Sequence, residues 1–223
     1  MTFGVVIFPG SNCDQDAIYT IASVLRCNVK TIWHQQSVLP ELDAIILPGG
    51  FSYGDYLRPG AIASRSPIMK AIKSFAGQGG LVMGICNGFQ VLIESQLLPG
   101  ALLRNESTRF ISRQVSLTIE NNQTPFSHQF QPNQSITLPI AHKDGNYFAH
   151  PELIRQLEEN HQIVLRYQNN PNGSTGNIAG ICNPRGNVFG LMPHPERAFA
   201  NWLGSSDGLI FFQSMLASME AKS

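Results

Sequence analysis

Four short apolar runs punctuate the first half of the chain: Phe3 to Phe8, Val29 to Trp33, Ala44 to Leu47 and Leu81 to Ile85, each bounded by glycine, proline or polar residues. Continuous apolar runs of this length suit parallel strands buried on both faces. Helical patterns lie between them. Ser11, Asn12, Asp14 and Asp16 can cap and charge a helix start, after which Ile18, Ile21, Ala22 and Leu25 recur on one face. Ile62 to Phe75 repeats the pattern through Ile68, Ile72 and Phe75, and Phe89 to Ser95 makes a third helical segment. Strands alternating with helices build βαβ units, so the expected fold is α/β: a mostly parallel central sheet flanked by helices on both faces.

The middle of the chain changes character. VSLTIE and SITLPI alternate polar with apolar residues across the turn-rich stretch NNQTPFSHQFQPNQ, which predicts antiparallel strands added at one side of the sheet. Pro151 to Asn160 reads as a helix with proline at its first position. IVLRY reads as a strand, GNIAGICNPRGNVFGLM as a hairpin turning at Asn183 to Gly186, and Asp207 to Met219 as a closing helix. With 223 residues and no internal repeat or linker, one domain spanning 1–223 is expected.

Charge narrows the function. Fifteen Lys and Arg balance fifteen Asp and Glu without a basic run, so the phosphate-neutralising stripe of a nucleic-acid binder is missing. Only 13% of residues are charged, which is low for a soluble domain and suggests a surface partly covered by a partner. Cys13, Cys27, Cys86 and Cys182 are scattered, with neither a zinc pattern nor a disulfide framework, as expected in a reducing cytosol. The first residues lack the features of a signal peptide and no run reaches the length of a membrane span, so a cytoplasmic protein is expected.

Three segments could carry chemistry. Gly84-Ile85-Cys86-Asn87-Gly88 has the form of a strand-to-helix elbow, where flanking glycines admit a strained nucleophile and the helix N-terminus favours a thiolate. Such a cysteine is at least as often a packing residue. Met192-Pro193-His194-Pro195-Glu196-Arg197 offers a base and a carboxylate to orient it, provided the prolines hold an extended backbone in which positions i and i+2 face the same way. The plain alternative is a surface ion pair. Gly49-Gly50, after the third apolar run, would meet the elbow at the carboxyl edge of the sheet, where backbone N–H groups of Gly50 and Asn87 could form an oxyanion hole. Alone it is a turn.

Gly-x-Cys-x-Gly, with Gln90 four residues after the cysteine and His-Pro-Glu near the C-terminus, resembles the class I (triad) glutamine amidotransferases. Within them the chain is most similar to the glutaminase subunits of the phosphoribosylformylglycinamidine synthases of purine biosynthesis. That similarity is carried by FPGSNCDQD (Phe8 to Asp16), GGFSYGDYLRPGAIA (Gly49 to Ala63), GICNGFQVL, PIAHKDGNY (Pro139 to Tyr147) and GNVFGLMPHPER (Gly186 to Arg197).

The resemblance implies a flavodoxin-like fold and hydrolysis of L-glutamine through a cysteinyl thioester, with Cys86 as nucleophile, His194 as acid and base, and Glu196 orienting it. Gly50 and Asn87 would supply the oxyanion N–H groups, and Gln90 and the His142 region would contact the substrate. It further implies no cofactor in this chain, and a synthetase partner that binds ATP and magnesium, with a small accessory subunit as an additional partner. No G-x-x-x-x-G-K-[ST] loop is present, which agrees with ATP being bound elsewhere. One departure lies at Lys143, where relatives carry glycine.

Weaker candidates remain. His142, Asp144 and His150 follow no zinc or iron spacing, so no metal is expected. Cys13 also follows a strand, which can bring it to the same sheet edge, but it lacks a glycine after it and a nearby histidine in sequence, and its loop reads as structural or as a partner contact. Cys27 and Cys182 read as buried, and Arg58 as a solvated loop charge or a partner contact. Another cysteine hydrolase on this scaffold, such as a γ-glutamyl hydrolase or peptidase, and a non-catalytic regulatory subunit are the rival readings.

Overall fold

In the computed structural model, which describes residues 1–221, the four apolar runs form strands β1 (Thr2–Ile7), β2 (Asn28–Trp33), β3 (Ala44–Leu47) and β4 (Leu81–Ile85). They pair in parallel in the spatial order β2-β1-β3-β4. β1, β3 and β4 are buried as expected, but β2 is the sheet's edge and buries only Ile32 fully. An edge strand has a neighbour on one side only, which leaves its other residues to solvent.

Helix α1 (Asp14–Tyr19) continues into a π-type turn at Thr20–Val24, and α2 (Ile68–Gly77) follows a separate 3-10 turn at Ala63–Arg65. The helix expected from Ile62 therefore starts late. Pro67 pushes Ser66 into extended backbone, with ψ of 143°, and so divides the segment. Helix α3 (Asn87–Glu94) begins directly after Cys86.

The second half supplies β5 (Ala101–Leu103), β6 (Ile111–Ile119), β7 (Ser135–His142), β8 (Asn146–Phe148), α4 (Pro151–Glu159), β9 (Ile163–Tyr167), β10 (Ile178–Cys182), β11 (Val188–Leu191) and α5 (Leu209–Glu220). β11 lies parallel to β4, with Leu191 opposite Ile85, and β10, β9, β6 and β7 follow it in antiparallel pairings. The added region thus extends the same sheet to nine strands. β5 and β8 form a small separate antiparallel pair that the sequence pattern did not announce.

Helices cover both faces. The β1-to-β2 and β3-to-β4 crossovers run in opposite directions across the sheet, and right-handed crossovers then place α1 and α2 on opposite sides. β11 repeats the division residue by residue. Phe189 stacks on Phe211 of α5 at 5.9 Å, whereas a Cβ on Gly190 would come within 2.1 Å of Phe89 of α3. Successive strand residues face opposite ways, so α3 and α5 sandwich this strand. The polar β6–β7 connection is anchored by the buried Phe126 and Phe130, whose rings meet Phe189 and Phe211. Each such ring contributes about 1.5–3 kcal/mol of apolar burial. Among the described residues, no helix is long and apolar enough to cross a membrane.

Candidate active site

The carboxyl ends of the parallel strands β1, β3, β4 and β11 share one sheet edge. Four loops meet there. Cys86 sits at the turn from β4 into α3 with φ 50° and ψ −104°, a backbone region that costs a side-chain-bearing residue about 1–3 kcal/mol. Its N–H donates to Leu191 O at 2.7 Å, joining the elbow to the strand that leads to His194. The flanking glycines are sterically required. A Cβ on Gly84 would lie 2.6 Å from Gly88 O, and one on Gly88 would lie 1.9 Å from Leu47 O.

His194 and Glu196 are 2% and 1% exposed, and His194 Nδ1 meets Glu196 Oε1 at 2.6 Å. The expected extended backbone is not how they meet. Pro195–Arg197 is a 3-10 turn, and it is this turn that brings the carboxylate under the imidazole. His194 N–H is fixed to Pro139 O at 2.9 Å, while its Nε2 is buried without a protein partner. A Cβ on Gly49 would lie 2.8 Å from His194 Cε1 and 3.2 Å from the Cys86 Cβ, so the bare glycine lets the two side chains come together.

Burial works to lower the His194 pKa, but the Glu196 carboxylate, aided by Cys86 and Cys13, raises it well above the usual histidine value. His194 therefore holds a proton firmly. His142 is the opposite case: burial first, and the charge of His194 second, push it down to about 3. A neutral His142 donates Nδ1–H to Asn105 Oδ1 at 3.0 Å, which leaves its buried Nε2 as a bare acceptor.

Gly50, Cys86, Asn87, Gln90, His142 and His194 line one pocket, together with Cys13, Phe51, Asp55, Phe110, Asp144 and Arg197. Glu196 stands behind His194. Gln90 is tied at both ends, donating Nε2–H to Asp144 O at 2.6 Å and accepting from Asn87 Nδ2 at 2.8 Å. Asn87 Nδ2 also donates to Asp55, whose carboxyl is raised to about 6 by burial and by Asp144. Lys143 lines the pocket with an ordinary negative φ, so the position accommodates a side chain, and its carbonyl accepts from Asn105 N at 2.8 Å.

Several residues took places that the sequence did not reveal. Cys13 is in the pocket, with its sulfur within 4.8 Å of ligand atoms of His194 and Glu196, and burial raises its thiol. Its place on this edge agrees with its position after β1, whereas its approach to His194 and Glu196, far away in sequence, was not expected. Asn105 fixes both His142 and the Gly145 N–H, a role with no local signature. Of the weaker candidates, His150 is an exposed N-cap of α4, Cys182 is buried, and Cys27 is only half-buried rather than buried. Arg58 forms a two-pronged ion pair with Glu94, both contacts at 2.6 Å.

The CobB/CobQ-like glutamine amidotransferase domain family matches residues 2–208. The solved structure of PurLQS from Thermotoga maritima contains a chain 47% identical to this one, covering 97% of each, with a TM-score of 0.90. A Thermoplasma acidophilum protein, provisionally described as a GMP synthase component, is 13% identical over 100% of this chain and 96% of its own, with a TM-score of 0.67. At that identity the likeness concerns the fold alone.

Proposed function

The chain belongs to the CobB/CobQ-like glutamine amidotransferase family, and from that premise we propose that Cys86, His194 and Glu196 hydrolyse L-glutamine to glutamate and ammonia. The observation that supports the assignment best is the buried 2.6 Å contact between His194 and Glu196 beside a cysteine on a strained elbow. The Cys86 thiolate attacks the side-chain amide carbon, and the resulting oxyanion is held by the N–H groups of Gly50 and Asn87. The His194 imidazolium gives its proton to the amide nitrogen, the C–N bond breaks, and ammonia leaves a thioester. Water then attacks the thioester, His194 takes its proton, and glutamate departs. Glu196 fixes the imidazole and stabilises its charge. Gln90 and the bare Nε2 of His142 bind the amino-acid part of glutamine.

The likeness to a PurLQS chain supports a role as the glutaminase subunit of phosphoribosylformylglycinamidine synthase in purine biosynthesis. Ammonia then passes to a synthetase subunit that binds ATP and magnesium and converts formylglycinamide ribonucleotide to formylglycinamidine ribonucleotide. A small accessory subunit completes the assembly. Residues 1–223 act as one domain in the cytoplasm, which is consistent with a continuous sheet and four free cysteines. Cys86→Ala in the reconstituted complex tests the proposal. Glutamine-dependent synthesis is expected to stop while ammonia-dependent synthesis continues, and persistent glutamine-dependent synthesis would overturn it. Faster cleavage of γ-glutamyl peptides than of glutamine would instead favour a γ-glutamyl hydrolase.

A further inference from the structure

The peptide between Gly49 and Gly50 is flanked by two residues without side chains. Gly50 has φ +90°, and nothing in the residues themselves favours one orientation of this peptide over its flipped form. An external contact decides it. Ser11 Oγ, in the loop after β1, donates to Gly49 O at 2.9 Å. In a trans peptide the C=O and the following N–H point opposite ways, so fixing the carbonyl toward Ser11 turns the Gly50 N–H away from it. Gly50 lines the pocket beside Cys86, and among the described residues its N–H has no hydrogen-bond partner.

The same loop blocks rearrangement on the other side. A Cβ on Gly50 would lie 2.1 Å from Asn12 Oδ1 and 2.6 Å from Asn12 N, so the Ser11–Asn12 backbone packs directly on the glycine. A flipped peptide would present a carbonyl oxygen where the oxyanion develops. We infer that Ser11 is a positioning residue of the glutaminase: it holds the Gly49–Gly50 peptide with its N–H aimed at the oxyanion site. The inference rests on the proposed role of Gly50 and would make the FPGSNCDQD segment part of the catalytic apparatus without touching substrate.

The test uses the complex with the synthetase subunit. Ser11→Ala is expected to lower the glutaminase kcat about tenfold to a hundredfold, less than or equal to the loss of one oxyanion donor, with KM changed by about twofold or less. Affinity for glutamate γ-semialdehyde, which adds to Cys86 and places an oxygen in the hole, falls by a similar factor. Alkylation of Cys86 by iodoacetamide, which develops no oxyanion, keeps its rate, and Ser11→Thr restores kcat. A Ser11→Ala enzyme with unchanged kcat and aldehyde affinity would overturn the inference. So would a fall in alkylation rate equal to the fall in kcat, which would mark a general distortion of the site. Failure of the glutaminase reading would show differently, as glutamine hydrolysis surviving Cys86→Ala.

Discussion

Cys86 occupies backbone angles that suit glycine, and they set it in the wall of the pocket at the sheet edge although the residue is only 6% exposed. Its replacement reveals the cost. Cys86→Gly is expected to be more stable than Cys86→Ala by about 1–2 kcal/mol in denaturant unfolding, the reverse of the usual order, since only glycine relaxes there. Equal stabilities would argue against a strained elbow. Glu196 presents a second case. Its carboxylate raises the pKa of His194 against the effect of burial, so Glu196→Gln allows the imidazolium to lose its proton at lower pH. The alkaline limb of the glutaminase pH–rate profile is expected to move down in pH, with kcat reduced by about 10²–10⁴-fold. A limb that stays in place would mean that Glu196 does not set the charge of His194.

Elements meet at the elbow with little tolerance. Gly88 brings α3 against the end of β3, and Gly88→Ala would force a methyl group into Leu47 O. A loss of about 3 kcal/mol in unfolding free energy is expected, and a thermal shift within error of the parent would contradict the packing. The loop after β3 is tied to α3 by Ser52 N–H donating to Asn87 Oδ1 and by the Asn87 contact with Asp55. The raised Asp55 pKa, about 6 against an ordinary 3.8, means that ionising this carboxyl weakens the folded state as pH rises from about 4 through 6. Asp55→Asn is therefore expected to raise the unfolding midpoint at pH 8 and to lose that advantage by about pH 4. A constant difference across this window would exclude Asp55 as its source.

Much of this architecture was legible in the chain because it is local. β1, β3 and β4 announce themselves as buried apolar runs, and the glycines around Cys86 mark an elbow before any tertiary contact is known. What escaped depends on segments distant in sequence. Asn105 acts through His142, 37 residues away, and Ser11 through Gly49, 38 residues away, and neither pairing leaves a periodic trace. The exposure of β2 follows from its place at the sheet edge, with Lys30 and Thr31 inside the run as its local sign, and β5 and β8 are too short to show an alternating pattern. The His194–Glu196 pairing was expected, but its means is a 3-10 turn rather than extended backbone, and the turn packs against α1 and β7, both distant in sequence, and against α5.

Across the whole molecule, the sheet edge carrying the pocket also presents exposed apolar side chains. Phe51 and Phe110 stack at its rim while about half exposed. A glutaminase that releases ammonia from an open rim would lose it to solvent, so docking of the synthetase over this edge is expected to raise turnover. The thioester on Cys86 is the point on which the account depends. Carbon-labelled glutamine is mixed with the assembled complex, quenched in acid during turnover, and the labelled peptide is identified. Label is predicted on the peptide containing Cys86, lost in Cys86→Ala while ammonia-dependent synthesis persists. Label on another residue, or glutamine-dependent turnover without any label on Cys86, would contradict it.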